Sequence, residues 1–600
     1  SYGKTESGLA LGGGISYRHS DGFYANEHTG QKCDRYDAVN LRFRAEKAIR
    51  PDLYFENILS AGALSQGGWP YRLYDPRTGA LHPTSYNDRS AYKRLNLTEA
   101  VKLRYEAPAY TLNSISAFQL LFDRMDMDQD FTPRSMFTLA QIQREGALTQ
   151  EVVLRPKAGW KTSWWDWQSG AFAFYKFNRM SAPVNFKQDG INNLILGNIN
   201  GMFQGMKPPM NTARLQFAQD EFDLSSKFEM PVLGAAMYHQ SQINAGRFTF
   251  TAGLRLDYER AKIDYVSTSA VDYIYSMKIQ MSPMMPPREI KVESGVNTTM
   301  EDNLSKEWFE VLPKFGIRYS LEKNGNIYAT VTRGFKAGGY NTQIFSDILQ
   351  NKLKGDLMAD LMNKAGGAFG SMGGGMPGGA QTPSYSVDEI ITYKPEYSWN
   401  FEAGAHLTLG KVTADAALFY IDCTDQQLTV FPDGNTTGRM MTNAGKTESY
   451  GAELALNAQI TGNLTAGISY GHTSAKFVKY NDGINDYKGK YVPYVPQNTL
   501  AANAAYTFYS LGNALDKLQL RIGYSGIGKI YWNEENTLAQ DFYSLLGSSI
   551  YAEKGNFSLE LWGKNLTDTE YNAFWFQSVG NGFFSQGMPA EFGATFSVQF

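Results

Sequence analysis

The chain has 600 residues, of which 14% are aromatic and 19% charged, and its formal net charge is −3. The charges are spread without a basic run, which argues against nucleic acid as a partner. No stretch of about 18 apolar residues is present, so the sequence excludes a helical membrane span. Two cysteines, Cys33 and Cys423, are too few for a disulfide scaffold.

Segments of about ten residues alternate apolar and polar side chains along most of the chain, which is the period of a strand with two unlike faces. In segment 248–259, Phe, Ala, Leu and Tyr at even positions alternate with Thr, Gly, Arg, Asp and Glu at odd positions. A soluble β-sandwich alternates in the same way, so this pattern alone does not decide the fold class. The pattern predicts about twenty strands, at residues 8–19, 36–46, 51–62, 93–106, 110–124, 148–158, 166–179, 227–242, 246–262, 308–321, 326–336, 397–409, 411–424, 446–460, 464–476, 498–509, 517–530, 542–553, 556–566 and 589–600.

The connections between these strands alternate between two lengths. Very short turns fall near residues 49–51, 107–109, 323–325, 410 and 554–556. The long polar or irregular stretches lie at 63–92, 125–147, 180–226, 263–307, 337–396, 425–445, 477–497, 531–541 and 567–588. Short periplasmic turns and long extracellular loops are typical of outer-membrane barrels. Because every backbone amide in lipid must be paired, we expect an all-β, transmembrane, antiparallel up-and-down barrel.

Four stretches resemble the TonB-dependent outer-membrane transporters. They are NGNIYATVTRGFKAGGYN (324–341), YKPEYSWNFEAGAHL (393–407), NAGKTESYGAELAL (443–456) and LWGKNLTDTEYNAF (561–574). They occur in the order and spacing of that family. Within it, the chain is most similar to iron-chelate receptors of the yersiniabactin and pesticin receptor kind. Segments 21–34 and 186–195 resemble Bacteroidota members.

The resemblance implies a barrel of 22 strands, about twenty of them in this chain. We expect residues 1–600 to form the transmembrane barrel domain, without the plug domain, TonB box, signal peptide and first hairpin of the family. The implied function is TonB-dependent import of a metal chelate, in the first place a ferric siderophore, across the outer membrane. Copper or other nutrient uptake, a passive pore and a docking platform for a surface lipoprotein are the alternatives.

The resemblance also implies the partners. These are outer-membrane lipid and lipopolysaccharide, the protein's own plug domain and the TonB energy-coupling complex. A surface lipoprotein that docks on the Met-rich loops belongs to the alternative of a docking platform. We expect no cofactor and no enzymatic activity, because the sequence has no HExxH, GxSxG or Walker-type motif. The glycine tract at 373–379 is not followed by a Lys-Ser pair, so it does not predict a phosphate-binding loop.

Ligand capture in this family takes place where the loops meet the plug. Aromatic and cationic side chains in loops suit aryl-rich, anionic iron chelates. The candidates are Trp69, Tyr71, Arg72, Lys336, Tyr340, Trp575, Phe576 and Phe584. Packing within the loops or an interfacial aromatic girdle explains any one of them equally well.

Arg333 raises a conflict, since alternation places it on the same face as Val331, which we assign to lipid. A bulge at Gly334 would reverse that face. We expect instead that the strand is inverted and that Arg333 contacts the plug.

Methionine is concentrated in the predicted loops, where all but Met230 and Met237 of the 21 residues lie. Thioethers are soft ligands that suit Cu(I). The candidate copper ligands are Met281, Met284, Met285, Met372 and Met376. Loop packing and docking of a partner or an apolar ligand are the alternatives.

Overall fold

The computed structural model describes residues 2–6, 8–157, 161–206, 210–279, 286–370, 387–430 and 440–598. It contains one antiparallel sheet of 24 strands, three of which (Val184–Phe186, Arg214–Phe217 and Phe222–Glu229) lie in a loop. The others form the wall: Tyr2–Glu6, Leu9–Ser20, Tyr36–Arg50, Leu53–Gln66, Ala91–Glu106, Tyr110–Asp128, Phe137–Pro156, Trp165–Ser181, Val232–Ala245, Phe248–Ile279, Arg288–Ser320, Gly325–Lys336, Glu396–Leu409, Val412–Val430, Met440–Gln459, Leu464–Lys479, Asn498–Leu511, Leu515–Ile527, Tyr543–Lys554, Phe557–Lys564 and Glu591–Val598. The wall strands pair in chain order, and each of the twenty predicted strands overlaps one of them.

The two faces of the wall differ as the alternation predicts. Large apolar side chains on one face are open, for example Leu254 (46% exposed) and Leu418 (65% exposed). The opposite face carries polar networks, in which the Arg255 guanidinium lies 2.6 Å from the Asp257 carboxylate. Lipid therefore contacts the first face, and the second face lines the lumen.

Short turns join the strands at one end of the wall. Gly246, Gly410 and Gly555 take positive φ angles of 62°, 65° and 55° in tight hairpins. Glycine adopts these angles without a steric penalty, so the hairpins close in two residues. The long connections all lie at the other end.

Small elements occupy the long connections. The strands are Ala25–Asn26, Gln31–Lys32, Tyr71–Tyr74, Gly339–Tyr340, Thr392–Tyr393, Ile530–Tyr531, Ala539–Gln540, Asn572–Ser578 and Asn581–Gln586. The helices are Gln188–Gly190, Ile191–Ile195, Gly197–Gln204, Met210–Thr212, Glu322–Asn324, Phe345–Gly370 and Val387–Ile391. Within the described ranges, no helix combines the length and the apolar character that a membrane span requires.

The longest hairpin corrects one sequence prediction. Strands Phe248–Ile279 and Arg288–Ser320 pair along their whole length, although about ten residues suffice to cross a membrane. The loop predicted at 263–307 was therefore wrong, and residues 263–279 and 288–305 form an arm that projects from the wall. Its polar residues gave this segment the composition of a loop. The alternation nevertheless continues through the buried side chains of Ile263, Tyr265, Val271, Tyr273, Tyr275 and Met277.

A helix packs on this arm and forms a second hydrophobic core outside the membrane, which we call the cap. Helix Phe345–Gly370 lies inside the irregular stretch predicted at 337–396, so that prediction was also wrong for these residues. Leucines spaced four residues apart cover one side of the helix. Leu349, Leu353, Leu357 and Leu361 are all at most 1% exposed. The Tyr273 and Ser294 hydroxyls of the arm donate to the Asp360 carboxylate at 2.8 and 2.7 Å.

The strand predicted at 227–242 is also interrupted. The structure has one strand ending at Glu229 and another starting at Val232. Pro231 lies between them and has no N–H to donate to a ladder, which accounts for the break. The first of these strands belongs to the cap and the second to the wall.

Candidate functional site

Two loops that are far apart in sequence are joined at the loop end of the wall. Strand Tyr71–Tyr74 pairs with Asn581–Gln586, which pairs in turn with Asn572–Ser578. The last two strands are connected by Val579 and Gly580, with φ angles of 49° and 71°. Two positive φ angles in a two-residue connection are the geometry of a tight hairpin. We call these three strands the loop sheet.

Aromatic rings from the loop sheet form a compact cluster with Phe131. The Tyr71 ring centroid lies 4.9 Å from that of Phe131 and 4.6 Å from that of Phe576, both edge to face. Phe583 stacks on Phe576 at 5.4 Å. Edge-to-face and offset pairs at these distances contribute beyond the area that they bury, so the cluster fixes the loop sheet over the barrel mouth.

A cavity of about 280 Å³ lies beneath this cluster. Met125, Met127 and Leu139 from the wall line it, together with Phe345 at the start of the cap helix. Phe122, which is 45% exposed to lipid, lies on the opposite face of the strand from Met125 and Met127. The cavity is therefore on the lumen side, where the wall, the loop sheet and the cap meet.

The lining of the cavity contains no charged side chain. Its polar groups are amides and hydroxyls: Gln129, Gln141, Gln343, Gln577, Ser226, Thr342 and Ser346. Aromatic and thioether groups supply the apolar surface. An apolar cavity with a few convergent amides suits a flat, uncharged ring system with hydrogen-bonding groups.

Three of the eight predicted ligand-binding residues line this cavity, namely Trp69, Tyr71 and Phe576. Trp575 and Phe584 lie in a separate buried cluster with Ile530 and Trp532. Successive residues of a strand point to opposite faces of the loop sheet, so Phe576 lines the cavity while its neighbour Trp575 lies in the other cluster.

The remaining three predicted residues have other surroundings. The Arg72 guanidinium donates to the carbonyls of Leu81 and His82 at 2.8 and 3.0 Å, which ties its own loop together. Lys336 is exposed at the end of its wall strand. Tyr340 packs against the cap core. None of the three lines the cavity, so the cationic contribution that the sequence suggested is not found there.

Sequence reasoning did not single out Phe131, Met125, Gln141 or Phe345 as site residues. Met125 and Gln141 fell in a stretch, 125–147, that was predicted as a loop, whereas most of it continues two wall strands. Extending the alternation four residues further along Tyr110–Asp128 would have placed Met125 on the lumen face.

Arg333 lies where two wall strands separate. Pairing with Arg288–Ser320 ends at Thr332, while pairing with Glu396–Leu409 continues through Gly334 without a register shift, so there is no bulge there. The Arg333 guanidinium donates to the Val311 carbonyl at 3.0 Å and lies 3.4 Å from the Glu310 carboxylate. This ion pair compensates its charge within the wall. The expected inversion of this strand was wrong, because Ile327 is 49% exposed and Val331 is directly opposite Phe401, which is 43% exposed, so these residues face lipid. Contact of Arg333 with a plug remains a prediction.

The predicted copper ligands Met281, Met284, Met285, Met372 and Met376 lie outside the described residues. Elsewhere, Met136, Met180, Met277 and Met300 are buried in the core that includes the cap. For these residues the structure agrees with the packing interpretation. In the described part of the chain, no group of three or more His, Cys, Asp or Glu side chains is placed to hold a metal ion.

Asp130 is a buried carboxyl between two residues of the cavity lining, and only 2% of it is exposed. Burial raises the pKa of Asp130 to about 6, although hydrogen bonds from Thr132 oppose this shift. A carboxyl in an unfolded chain titrates near pH 3.9. The folded state therefore binds the proton more tightly, and the stability of this loop falls as the pH rises from about 4 to about 6.

Cys33 and Cys423 are both buried free thiols. Burial raises the pKa of Cys33 to about 11, so this thiol stays protonated at neutral pH. The two cysteines do not form a disulfide.

Comparison with known proteins supports the same architecture. The pesticin receptor of Yersinia enterocolitica is 24% identical over 268 residues, which cover 44% of this chain and 32% of that receptor. The pesticin receptor of Yersinia pestis is 23% identical over 266 residues, again 44% of this chain and 32% of the relative. The matched part thus spans about a third of the length of these curated relatives.

Solved structures share the fold over nearly the whole chain. The ferric yersiniabactin uptake receptor FyuA from Yersinia pestis has a TM-score of 0.68 at 17% identity, covering 100% of this chain and 76% of that one. The siderophore receptor PiuA from Acinetobacter baumannii has a TM-score of 0.65 at 13% identity, with coverages of 99% and 78%. The copper transporter OprC has a TM-score of 0.62 at 12% identity, with coverages of 99% and 78%.

A family model described as "TonB dependent receptor-like, beta-barrel" matches residues 16–566. The match confirms the predicted barrel and its location in the bacterial outer membrane. Proteins of this family are receptors and transporters and not enzymes. The chain belongs to the TonB-dependent receptor-like β-barrel family.

Proposed function

We propose that this chain forms the barrel of a receptor that imports a ferric siderophore across the outer membrane. The observation that carries the proposal is the lumen-side cavity, which joins the loop sheet, the wall and the cap at the loop end. A ligand bound there lies at the loop end of the lumen. Related structures bear the names of siderophore receptors, which supports the choice of ligand class.

The lining favours one kind of chelate. Trp69, Tyr71 and Phe576 offer aromatic surface, and the cavity lining holds no charged group. Aryl or heteroaryl arms gain stacking and burial there, whereas a carboxylate would lose hydration without finding a cation. We therefore favour a chelate with aromatic arms over one built from carboxylates alone.

The remaining partners follow from the same proposal. We propose that the barrel works with the protein's own plug domain and with the TonB energy-coupling complex, the partners that the family resemblance implies. The other proposed partners are lipopolysaccharide, which would surround the wall, and a surface lipoprotein, which would bind over the cap.

Ligand binding to the purified receptor tests the cavity. A ferric chelate with phenolic arms and ferric citrate are titrated separately, with tryptophan fluorescence as the readout. Phe576→Ala removes one wall of the cavity and is expected to raise the Kd of the aryl chelate about 10- to 100-fold. Trp164→Ala, at an exposed aromatic position (54%) on the turn side, is the matched control. Equal Kd values for wild type and Phe576→Ala would contradict the proposal.

Copper is a second candidate because of one observation. Three thioethers, those of Met125, Met127 and Met180, line the same cavity. Sulfur ligands of this kind suit Cu(I). Titration of Cu(I) into wild type and into a Met125→Leu/Met127→Leu/Met180→Leu variant distinguishes copper import from siderophore import. If copper is the ligand, the variant must bind Cu(I) more weakly than wild type.

A further inference from the structure

One edge of the arm has no strand beside it. The first arm strand, Phe248–Ile279, is covered by two shorter strands on the side away from its hairpin partner. The second arm strand, Arg288–Ser320, gains a neighbour on its corresponding side only from Lys314 onward. Within the described residues, no other segment of the chain makes a backbone hydrogen bond to that side of residues 289–303, which we call the arm edge.

The backbone groups of the odd-numbered residues point out of this edge. The Val311 carbonyl accepts from the Arg333 guanidinium on the side of the edge, whereas the Ser320 N–H donates to the Arg247 carbonyl on the hairpin side. Pro313, which has no N–H, is also at an odd position. Orientation alternates along a strand, and this hairpin has no register shift, so the alternation extends through the arm edge.

The arm edge lacks the features with which natural sheets protect an edge strand. It is about 50 Å long, at about 3.4 Å per residue. It contains no proline, and its pairing with the hairpin partner shows no bulge. Its one lysine, Lys291, is neutralised by the Glu293 carboxylate at 2.5 Å. An unprotected edge of this length is a template for one further strand.

The odd-numbered residues of the arm edge also expose their side chains. Asn297 and Thr299 are exposed, whereas Val296 and Thr298 are only 8% and 1% exposed. The Thr298 hydroxyl donates to the Asp356 carboxylate of the cap helix at 2.8 Å. A strand added to this edge therefore places one row of side chains toward the cap helix and the other row in solvent.

Carboxylates outnumber cations in the exposed row. Its odd positions carry Glu289, Glu293 and Glu301, with Lys291 as the one cation. Opposite charges that face each other across two strands are favourable, and like charges are unfavourable. We therefore expect a partner strand to carry lysine or arginine in this row.

A second copy of this chain does not suit the arm edge. Two receptors that pair through the same surface in one membrane are related by an axis along the membrane normal, so their arms point in the same direction. Pairing of two identical edges would then place Glu293 opposite Glu293 and Glu301 opposite Glu301. The charges thus favour a different protein as the occupant.

We propose that the arm edge binds an extended, basic strand of another protein by β-sheet addition. Main-chain hydrogen bonds to the odd-numbered residues supply the affinity, and Glu293 and Glu301 select basic side chains. The edge lies outside the lumen, so its occupation is tested independently of the imported ligand.

Hydrogen exchange of the free receptor, resolved to single amides, is the first test. The odd-numbered amides from Lys291 to Glu301 should exchange at least about tenfold faster than the even-numbered amides, which are bonded to the hairpin partner. Equal protection of both sets would overturn the proposal, because the edge would then already be covered by the chain itself or by a second copy.

Probe peptides test the occupant. A short peptide that alternates lysine and valine carries a dye and is titrated into the detergent-solubilised receptor, with fluorescence anisotropy as the readout. It should bind at least about tenfold more tightly than the same peptide with glutamate in place of lysine. Methylation of alternate backbone nitrogens in the basic peptide removes its donors and should abolish binding. Equal Kd values for the basic peptide and either comparison peptide would contradict strand addition.

Receptor variants locate the binding surface. Asn297→Pro removes one outward N–H and leaves the bonds to the hairpin partner intact, so it should weaken binding of the basic peptide at least about tenfold. Asn297→Ala keeps that N–H and is the matched control, with an unchanged Kd. Glu293→Gln/Glu301→Gln should lose the preference for the basic peptide over the acidic one. Protection of the even-numbered amides verifies that each variant keeps the arm folded, and wild-type binding by both folded variants would refute the site.

Discussion

Replacement of Leu353 by alanine tests whether the cap is a true hydrophobic core. Leu353 is 0% exposed and lies on the side of the helix that packs against the arm. Truncation of a fully buried leucine costs about 2–5 kcal/mol, because transfer free energy is lost and a cavity remains. If the helix opens as a unit, its opening equilibrium increases about 30- to 4,000-fold.

Hydrogen exchange of the backbone amides in Phe345–Gly370 measures this opening directly. The amides of the helix are expected to exchange faster by that factor in Leu353→Ala, while amides of the wall strands keep their protection. Asn351→Ala, at an exposed position of the same helix, is the control. Unchanged protection of the helix in Leu353→Ala would refute the packing of helix on arm, and with it the cap as a cooperative unit.

Three further predictions concern single contacts at the loop end. Asp130→Asn is expected to reduce the loss in loop stability between about pH 4 and pH 6 by up to about 3 kcal/mol. The remaining loss comes from the neighbouring Asp128, whose pKa burial raises to about 8. A flat pH profile of wild-type exchange at residues 129–136 would contradict both raised pKa values. Asn341→Ala breaks two hydrogen bonds to the backbone of Met441, at 2.8 and 2.7 Å, and should loosen that contact by about 1–3 kcal/mol, detected as faster exchange near residue 441. Glu310→Ala leaves the Arg333 cation without its carboxylate and should lower the thermal midpoint of the barrel. The double variant Glu310→Ala/Arg333→Leu removes both charges and should restore that midpoint.

The wall was predictable because each strand in the membrane must alternate apolar side chains, which face lipid, with polar side chains, which face the lumen. Alternation and the positions of short turns located every wall strand except Tyr2–Glu6, and Gly410 and Gly555 close hairpins at turns that the sequence predicted. Outside the membrane a strand does not need an apolar face toward lipid. Residues such as Thr268 and Asp272 in the arm resemble loop residues in composition, although they form the outer face of a strand. The extent of the arm was missed for this reason.

The cavity was only partly predictable. Trp69, Tyr71 and Phe576 stood out as loop aromatics, but Trp575 and Phe576 cannot be told apart without the pairing of the loop sheet. Phe345 could not be predicted as a site residue, because its position depends on how a helix packs onto the arm. Such contacts join segments hundreds of residues apart, and no local pattern encodes them.

Uptake by whole cells tests the central proposal most directly. Cells that carry the full receptor, the Phe576→Ala variant or no receptor are supplied with a radiolabelled ferric aryl chelate, with and without an uncoupler. We predict receptor-dependent uptake that is reduced by Phe576→Ala and abolished when the proton gradient collapses. Uptake that persists with the uncoupler and is unaffected by the variant would contradict energy-coupled import through this cavity and would identify the barrel as a passive pore.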